Sequence, residues 1–212
     1  MEVKLLTPHD YLGMMENFAA LADLTCHANT EKEYKPSEVL GRIIKLGHES
    51  ILEHINLTYS VKGLSSACLQ ELERHRHISL SVENTRHTLH KYLAISDDEL
   101  GNFVQSHIID LSVADDMKAL LVLLMGAGLS LGVIKRYENF PNYVLKYLLP
   151  ELWPTNLILT ANIRALRHII KLHTAPTALK EFRDLAHAMF REVPDEYKYL
   201  LEDCVYKENG HE

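Results

Sequence analysis

Glu73-Arg74-His75-Arg76-His77-Ile78-Ser79-Leu80-Ser81-Val82-Glu83-Asn84-Thr85-Arg86, with His87 and His90 just beyond, is the stretch on which the reading of this chain turns. Three arginines, two serines, an amide and several imidazoles crowd into one short segment, a density of donors that a folding core does not need. An anion is the natural counterpart, because the guanidinium is a planar fork matched to phosphate or carboxylate and keeps its charge at physiological pH. Arg74 and Arg76 are two apart, so they share a face on extended chain and splay apart on a helix. The segment therefore reads as a loop or strand-like turn leaving a helix. The plainer alternative is a solvated basic patch.

Upstream, Leu64 to about Arg74 reads as a helix with its apolar stripe at Leu64, Ala67, Cys68, Leu69 and Leu72. It delivers Gln70, Glu71, Arg74, His75 and Arg76 at its carboxyl end, where the helix dipole favours cations. Ile55 to Lys62 alternates as a strand that Gly63 closes. His48-Glu49-Ser50-Ile51-Leu52-Glu53-His54 nearly matches a zinc-protease helix, but its histidines are six apart rather than four and point in different directions. Earlier still come a short strand at Met1 to Leu6, a helix capped by Asp10 and running to Cys26, and a polar loop from Asn29 to Lys35. A second helix starts at Pro36-Ser37-Glu38, turns Val39, Ile43, Ile44 and Leu46 inward, and ends near Gly47.

Downstream, Asp97-Asp98-Glu99 opens a helix toward Ile109, and Asp115 opens a long apolar one. Tyr137 to Asn142 connects, Val144 to Leu149 is short and apolar, and Pro150 and Pro154 break regularity. Leu157 to Thr160 fits a strand or a first helical turn. Asn162 to Leu172 is helical with Ile163, Leu166, Ile169 and Ile170 inward, leaving Arg164, Arg167, His168 and Lys171 for other work. Helices at about 177 to 191 and 195 to 204 follow, and the tail from Lys207 is polar. There is no repeat or linker, so residues 1–212 read as one domain.

The chain has 212 residues, 47% of them hydrophobic and 24% charged, which suits a globular protein with a sizeable core. Its net charge of −7 argues against general nucleic-acid binding, which leaves a basic footprint. Cys26, Cys68 and Cys204 are scattered and odd in number, pointing to neither a disulfide framework nor a zinc cluster and fitting a reducing cytoplasm. The amino terminus lacks a signal-peptide pattern. Ala119 to Ile134 carries no charge but falls short of the roughly 20 residues that span a bilayer, so it reads as a helix buried in the core or between subunits.

These motifs resemble those of the flavin-dependent thymidylate synthases. That family's signature is Arg-His-Arg, seven residues, then Ser, often with Arg two further on. Here Arg74-His75-Arg76 is followed at that spacing by Asn84 and then Arg86. His48-Glu49-Ser50 with Glu53-His54, Leu69-Gln70-Glu71-Leu72, and Asn162-Ile163-Arg164-Ala165-Leu166 support the match in the same order. The resemblance implies an α/β (α+β) fold, an antiparallel sheet flanked by helices including the long apolar one. It also implies a homotetramer that binds FAD and dUMP, with NADPH as reductant and methylenetetrahydrofolate as carbon donor. Carried over by position, Ser50, Glu53, Arg74, His75, Arg76, Asn162, Arg164 and His168 line FAD. Gln70, Glu71, Arg74, Asn84, Thr85, Arg86, Lys146 and His173 surround the nucleotide, with His173 at the position of the family's catalytic arginine.

The departures sit at the chemistry. Asn84 stands for the signature serine, Lys146 for an arginine, His173 for the uracil-polarising arginine, His168 for an asparagine that faces flavin, and Thr177 for a histidine. Histidine, with an ordinary pKa near 6.5, is charged only in part at neutral pH. The resulting expectation is C5 methylation of dUMP to dTMP. Beside it stand action on another uridine nucleotide, a silent nucleotide- or flavin-binding protein, and a metal-dependent hydrolase using His75, His77, His87 and His90.

Overall fold

The computed structural model describes residues 1–31, 33–93, 141, 149, 151 and 153–207, the side chains of 90–93 excepted. It divides into two compact units, one of residues 1, 62–70 and 82–157 and one of 2–61, 71–81 and 158–212. The expected helices over 97–109 and 119–134, the segments 137–142 and 144–149 apart from residues 141 and 149, and Lys146 lie outside the described residues.

The larger unit opens with β1 (Glu2–Leu5) and α1 (His9–Cys26). Pro8 takes the N-cap position with extended backbone, and its carbonyl accepts from Tyr11 and Leu12 N–H, so Asp10 sits inside the first turn and is not the cap. Leu12, Met15 and Ala19 of α1 are buried, as are Val39, Leu40 and Ile43 of α2 (Pro36–Lys45). A buried Asp23 carboxylate meets Arg42 at 3.0 Å and ties the two helices. Helix α2 stops in a Schellman turn: Gly47 at φ 73 donates to Ile44 O, and His48 N donates to Ile43 O. That turn throws Leu46 outward, 60% exposed, rather than into the core. A 3-10 helix over Glu49–His54 follows.

β2 (Asn56–Ser65), β3 (Ile78–Val82) and β4 (Pro154–Asn162) complete a four-stranded sheet in the order β1-β2-β4-β3. Ile163 N donates to Ile55 O at 2.8 Å, and three residues on along β2, Thr58 Oγ1 lies 2.9 Å from Oγ1 of Thr160, three residues back. Numbering that rises on one strand and falls on its neighbour makes the pair antiparallel. Leu57, Tyr59 and Val61 of β2, with Leu159 and Ala161 of β4, turn to the core by period-two alternation. α5 (Ile163–His173) leaves β4 directly, and α6 (Lys180–Glu192) buries Phe182, Leu185, Ala186 and Met189. The last stretch makes two short 3-10 turns, Asp195–Leu200 and Glu202–Cys204, instead of one helix.

In the smaller unit, Gly63 at φ 71 does not end β2. The left-handed backbone that glycine tolerates carries the strand on to Ser65, with Gly63 N donating to Asn156 Oδ1 at 3.1 Å. Helix α3 therefore begins at Ser66, not Leu64, and runs to Glu73. Pro154 opens β4, where a first strand residue need not donate to the ladder. α4 (Thr85–Leu93) begins just after Asn84. Among the described residues no helix is long and apolar enough to cross a membrane.

Candidate functional site

The donor-rich stretch leaves α3 as extended chain through a tight turn. Arg74 N and His75 N donate to the carbonyls of Glu71 and Leu72, and His77 at φ 62 takes the left-handed conformation before β3 starts at Ile78. Alternation along this turn exposes Arg74 and Arg76 and turns His75 inward. Arg74 folds back to meet Glu71 at 2.9 Å.

His75 then meets residues of α5 and α6 that are far from it in sequence. Its Nε2 lies 2.8 Å from Nε2 of His173, the last residue of α5. The His173 ring stacks flat on Phe182 of α6, centroids 3.5 Å apart and planes 9° from parallel. His75 stands edge-on to Phe182 at 5.7 Å and edge-on to His168 at 5.8 Å. Burial pushes the His173 pKa down to about 4, His75 and His168 add to the effect, and Glu71 opposes it. Burial, then His168, also lowers that of His75. The three rings thus form a cluster in which burial disfavours the charged form of both His75 and His173.

Asn162 caps α5, its Oδ1 accepting from Ala165 N at 2.8 Å. Arg164, within the first turn, meets Glu53 at 2.6 Å with both side chains half exposed. Ser50 is exposed on the 3-10 helix before Glu53. Of the residues carried over by position, this unit therefore joins Glu71, Arg74, His75, His168 and His173 in one cluster and Glu53 with Arg164 in another pair.

Arg167 corrects an expectation. It is not left over for a ligand but is 5% exposed, donating from Nε to Glu49 at 2.9 Å, from Nη1 to Leu200 O at 2.7 Å, and from Nη1 and Nη2 to Asp203 at 2.6 Å each. Burial opposes its charge, and the bonds to Asp203 and Glu49 outweigh that cost and raise its pKa. The signal was in the spacing: Ile163, Leu166, Arg167 and Ile170 follow the inward i, i+3, i+4, i+7 pattern. Phe182 was missed altogether, and no local pattern marks it out from the other core aromatics.

In the smaller unit, Asn84 Oδ1 accepts from Arg86 N at 3.0 Å and so holds the first turn of α4. Asn84 and Arg86 are exposed and Thr85 is half-buried, while Gln70 is exposed on α3. Among the described residues no group of His, Cys, Asp and Glu is arranged to hold a metal ion. A cavity of about 340 Å³ in the larger unit is lined by Asp23, His27, Arg42 and His48 among others, and by none of the residues carried over.

A family model described as thymidylate synthase complementing protein matches residues 10–197. The flavin-dependent thymidylate synthase of Campylobacter jejuni (strain RM1221) is 36% identical over 200 residues, covering 88% of this chain and 91% of that protein. The Helicobacter pylori (strain ATCC 700392 / 26695) protein of the same name is 34% identical over 181 residues, covering 81% and 83%. A crystal structure of thymidylate synthase X from Helicobacter pylori with FAD and dUMP superposes with a TM-score of 0.79 at 31% identity, covering 98% of this chain and all of that one.

Proposed function

The chain belongs to the flavin-dependent thymidylate synthases, and from that premise we propose that it methylates dUMP at C5 to give dTMP, with FAD as cofactor, NADPH as reductant and methylenetetrahydrofolate as carbon donor. The observation that carries this reading is the meeting of His75, from the Arg-His-Arg turn, with His168 and His173 of α5, 98 residues away for the hydrogen-bonded pair. The donor set suits FAD: exposed guanidinium groups of Arg74, Arg76 and Arg164 fit a pyrophosphate, and Ser50, Glu53, His75, Asn162 and His168 stand with them in the same unit. Bound FAD supplies the hydride that reduces the transferred carbon. For the nucleotide we assign, by position in the family's motifs alone, Gln70, Glu71, Arg74, Asn84, Thr85, Arg86, Lys146 and His173, with Arg86 as the phosphate ligand.

The whole chain, 1–212, is taken as one such domain, since the family match runs unbroken from residue 10 to 197. A cytoplasmic homotetramer completes the reading. Tyr11, Met14, Phe18 and Leu21 form an apolar stripe on α1 that is 38–51% exposed, surface that another copy of the chain would cover. The uncharged state of His173 favours, as a second reading, a homologue that acts on another uridine nucleotide or binds without turnover.

The test is direct. Purified protein should show an oxidised-flavin absorbance band and release tritium from C5-labelled dUMP when NADPH and the folate are present. Silence with both dUMP and UMP, with flavin and nucleotide bound, would establish the binder instead.

A further inference from the structure

Two imidazole nitrogens at hydrogen-bond distance need one proton and one lone pair between them. Nε2 of His75 and Nε2 of His173 lie 2.8 Å apart, so one ring donates, the other accepts, and both cannot be protonated at the bridge. Among the described residues neither Nδ1 has a hydrogen-bond partner. A neutral imidazole carries its hydrogen on one nitrogen only. Whichever ring donates at the bridge, then, one outer Nδ1 bears a hydrogen and the other is bare. Shifting the bridging proton exchanges the two ends.

The surroundings keep this unit intact. Phe182 lies flat against His173 and edge-on to His75, which restrains both rings from tilting out of line. The ionisable groups acting on the pair are Glu71 from α3 and His168 from α5, and α6 sets the uncharged Phe182 ring against both imidazoles. The Lys180 and Asp184 side chains of α6 pair with each other at 3.0 Å.

Turning dUMP into dTMP replaces a C5–H bond by a C5–C bond, so a proton must leave the pyrimidine. Resting on the reading above, we propose that His75 and His173 form a two-ring relay that carries this proton away from the nucleotide, with Phe182 as the residue that positions it. The C–H electron pair stays on the pyrimidine and the proton goes to the bare Nδ1 of His173. The Nε2 hydrogen of His173 passes to Nε2 of His75, and the Nδ1 hydrogen of His75 goes to water. Nothing is oxidised or reduced, both rings end neutral with tautomers exchanged, and water at the two ends restores them.

The experiment pairs a spectroscopic readout with a chemical one. In the ligand-free full-length protein, ¹⁵N-imidazole NMR across a pH titration should show the His75 and His173 signals moving together in acid, and His75→Gln should make His173 titrate alone. Two rings that titrate independently in the wild type would overturn the relay whatever the activity. Glutamine keeps a hydrogen-bonding group for His173 but has no second ring nitrogen from which to pass a proton onward. With FAD saturating, His75→Gln should slow tritium release from C5-labelled dUMP by about 100-fold, the lower end for a lost proton-transfer group, at unchanged dUMP affinity. Unchanged release, or release lost only in step with dUMP binding, would overturn the proposal. Wild-type protein that binds dUMP and releases no tritium would overturn the methylation reading itself, and the relay's task with it.

Discussion

Helix α5 carries two charge-bearing positions six residues apart that the fold treats in opposite ways. Arg167 is buried with every stretch of its guanidinium engaged, by Glu49, Asp203 and the Leu200 carbonyl. His173, at the end of the same helix, is half-buried, sits against an aromatic ring, and has one nitrogen bonded and the other without a partner among the described residues. A cation that must stay buried needs its partners in place permanently, because an unpaired buried charge costs several kcal/mol. An imbalance of the second kind is tolerable only because histidine can shed its proton. The first arrangement fastens α5 to the 3-10 helices at Glu49 and Asp203, and the second leaves atoms that a ligand can use.

The contrast can be broken most forcefully at the clamp. Arg167→Met should cost about 3 kcal/mol of unfolding free energy, at the low end for breaking a buried ion pair because Glu49 and Asp203 remain partly in water. Urea denaturation measures it, and a loss well under 1 kcal/mol would mean that the clamp is not structural. A smaller loss, about 1 kcal/mol, is expected for Asn162→Ala, which removes the side-chain acceptor at the start of α5. A melting temperature equal to wild type would show that solvent replaces the cap without cost.

Glu53→Gln should change stability by only a few tenths of a kcal/mol, because the Glu53–Arg164 pair is about half exposed and solvent screens it. If the pair serves the flavin, FAD retention through a desalting column should fall while the melting temperature stays put; intact retention would remove Glu53 from the site. The last effect appears only in acid. Between its folded value of about 4 and its ordinary 6.5, His173 binds fewer protons in the folded chain than in the unfolded one. This contribution is therefore fully present above pH 6.5 and is lost as the pH falls through the window toward about 4. Denaturation curves across that range should be flatter for His173→Gln, and an identical slope would mean that burial does not hold the imidazole neutral.

How far the chain could be read beforehand varied with the kind of interaction involved. The turn at Arg74 to Arg76, the strand β2, the helix α5 and its alternation with core contacts all follow from spacing of two or of three and four. The misses were of two sorts. Gly63 and Pro154 look like strand breakers, yet a left-handed φ at one and a first-residue position at the other let the strands continue. Arg167 looks like a surface cation until its partners, 118 and 36 residues away, are brought to it.

The residues along one segment settled what a segment alone can settle: a cluster of anion-seeking donors leaving a helix, the periodicity of each element, and the motif order that marks the family. Only tertiary packing decided which donors would be spent and which kept. His75 and Phe182 reach His173 from other elements of the fold, and burial among them strips the charge that an imidazole, unlike a guanidinium, can give up. Local spacing is set by backbone geometry and can be counted along the chain, whereas a partner and a dielectric surrounding belong to a point in space that distant segments fill together.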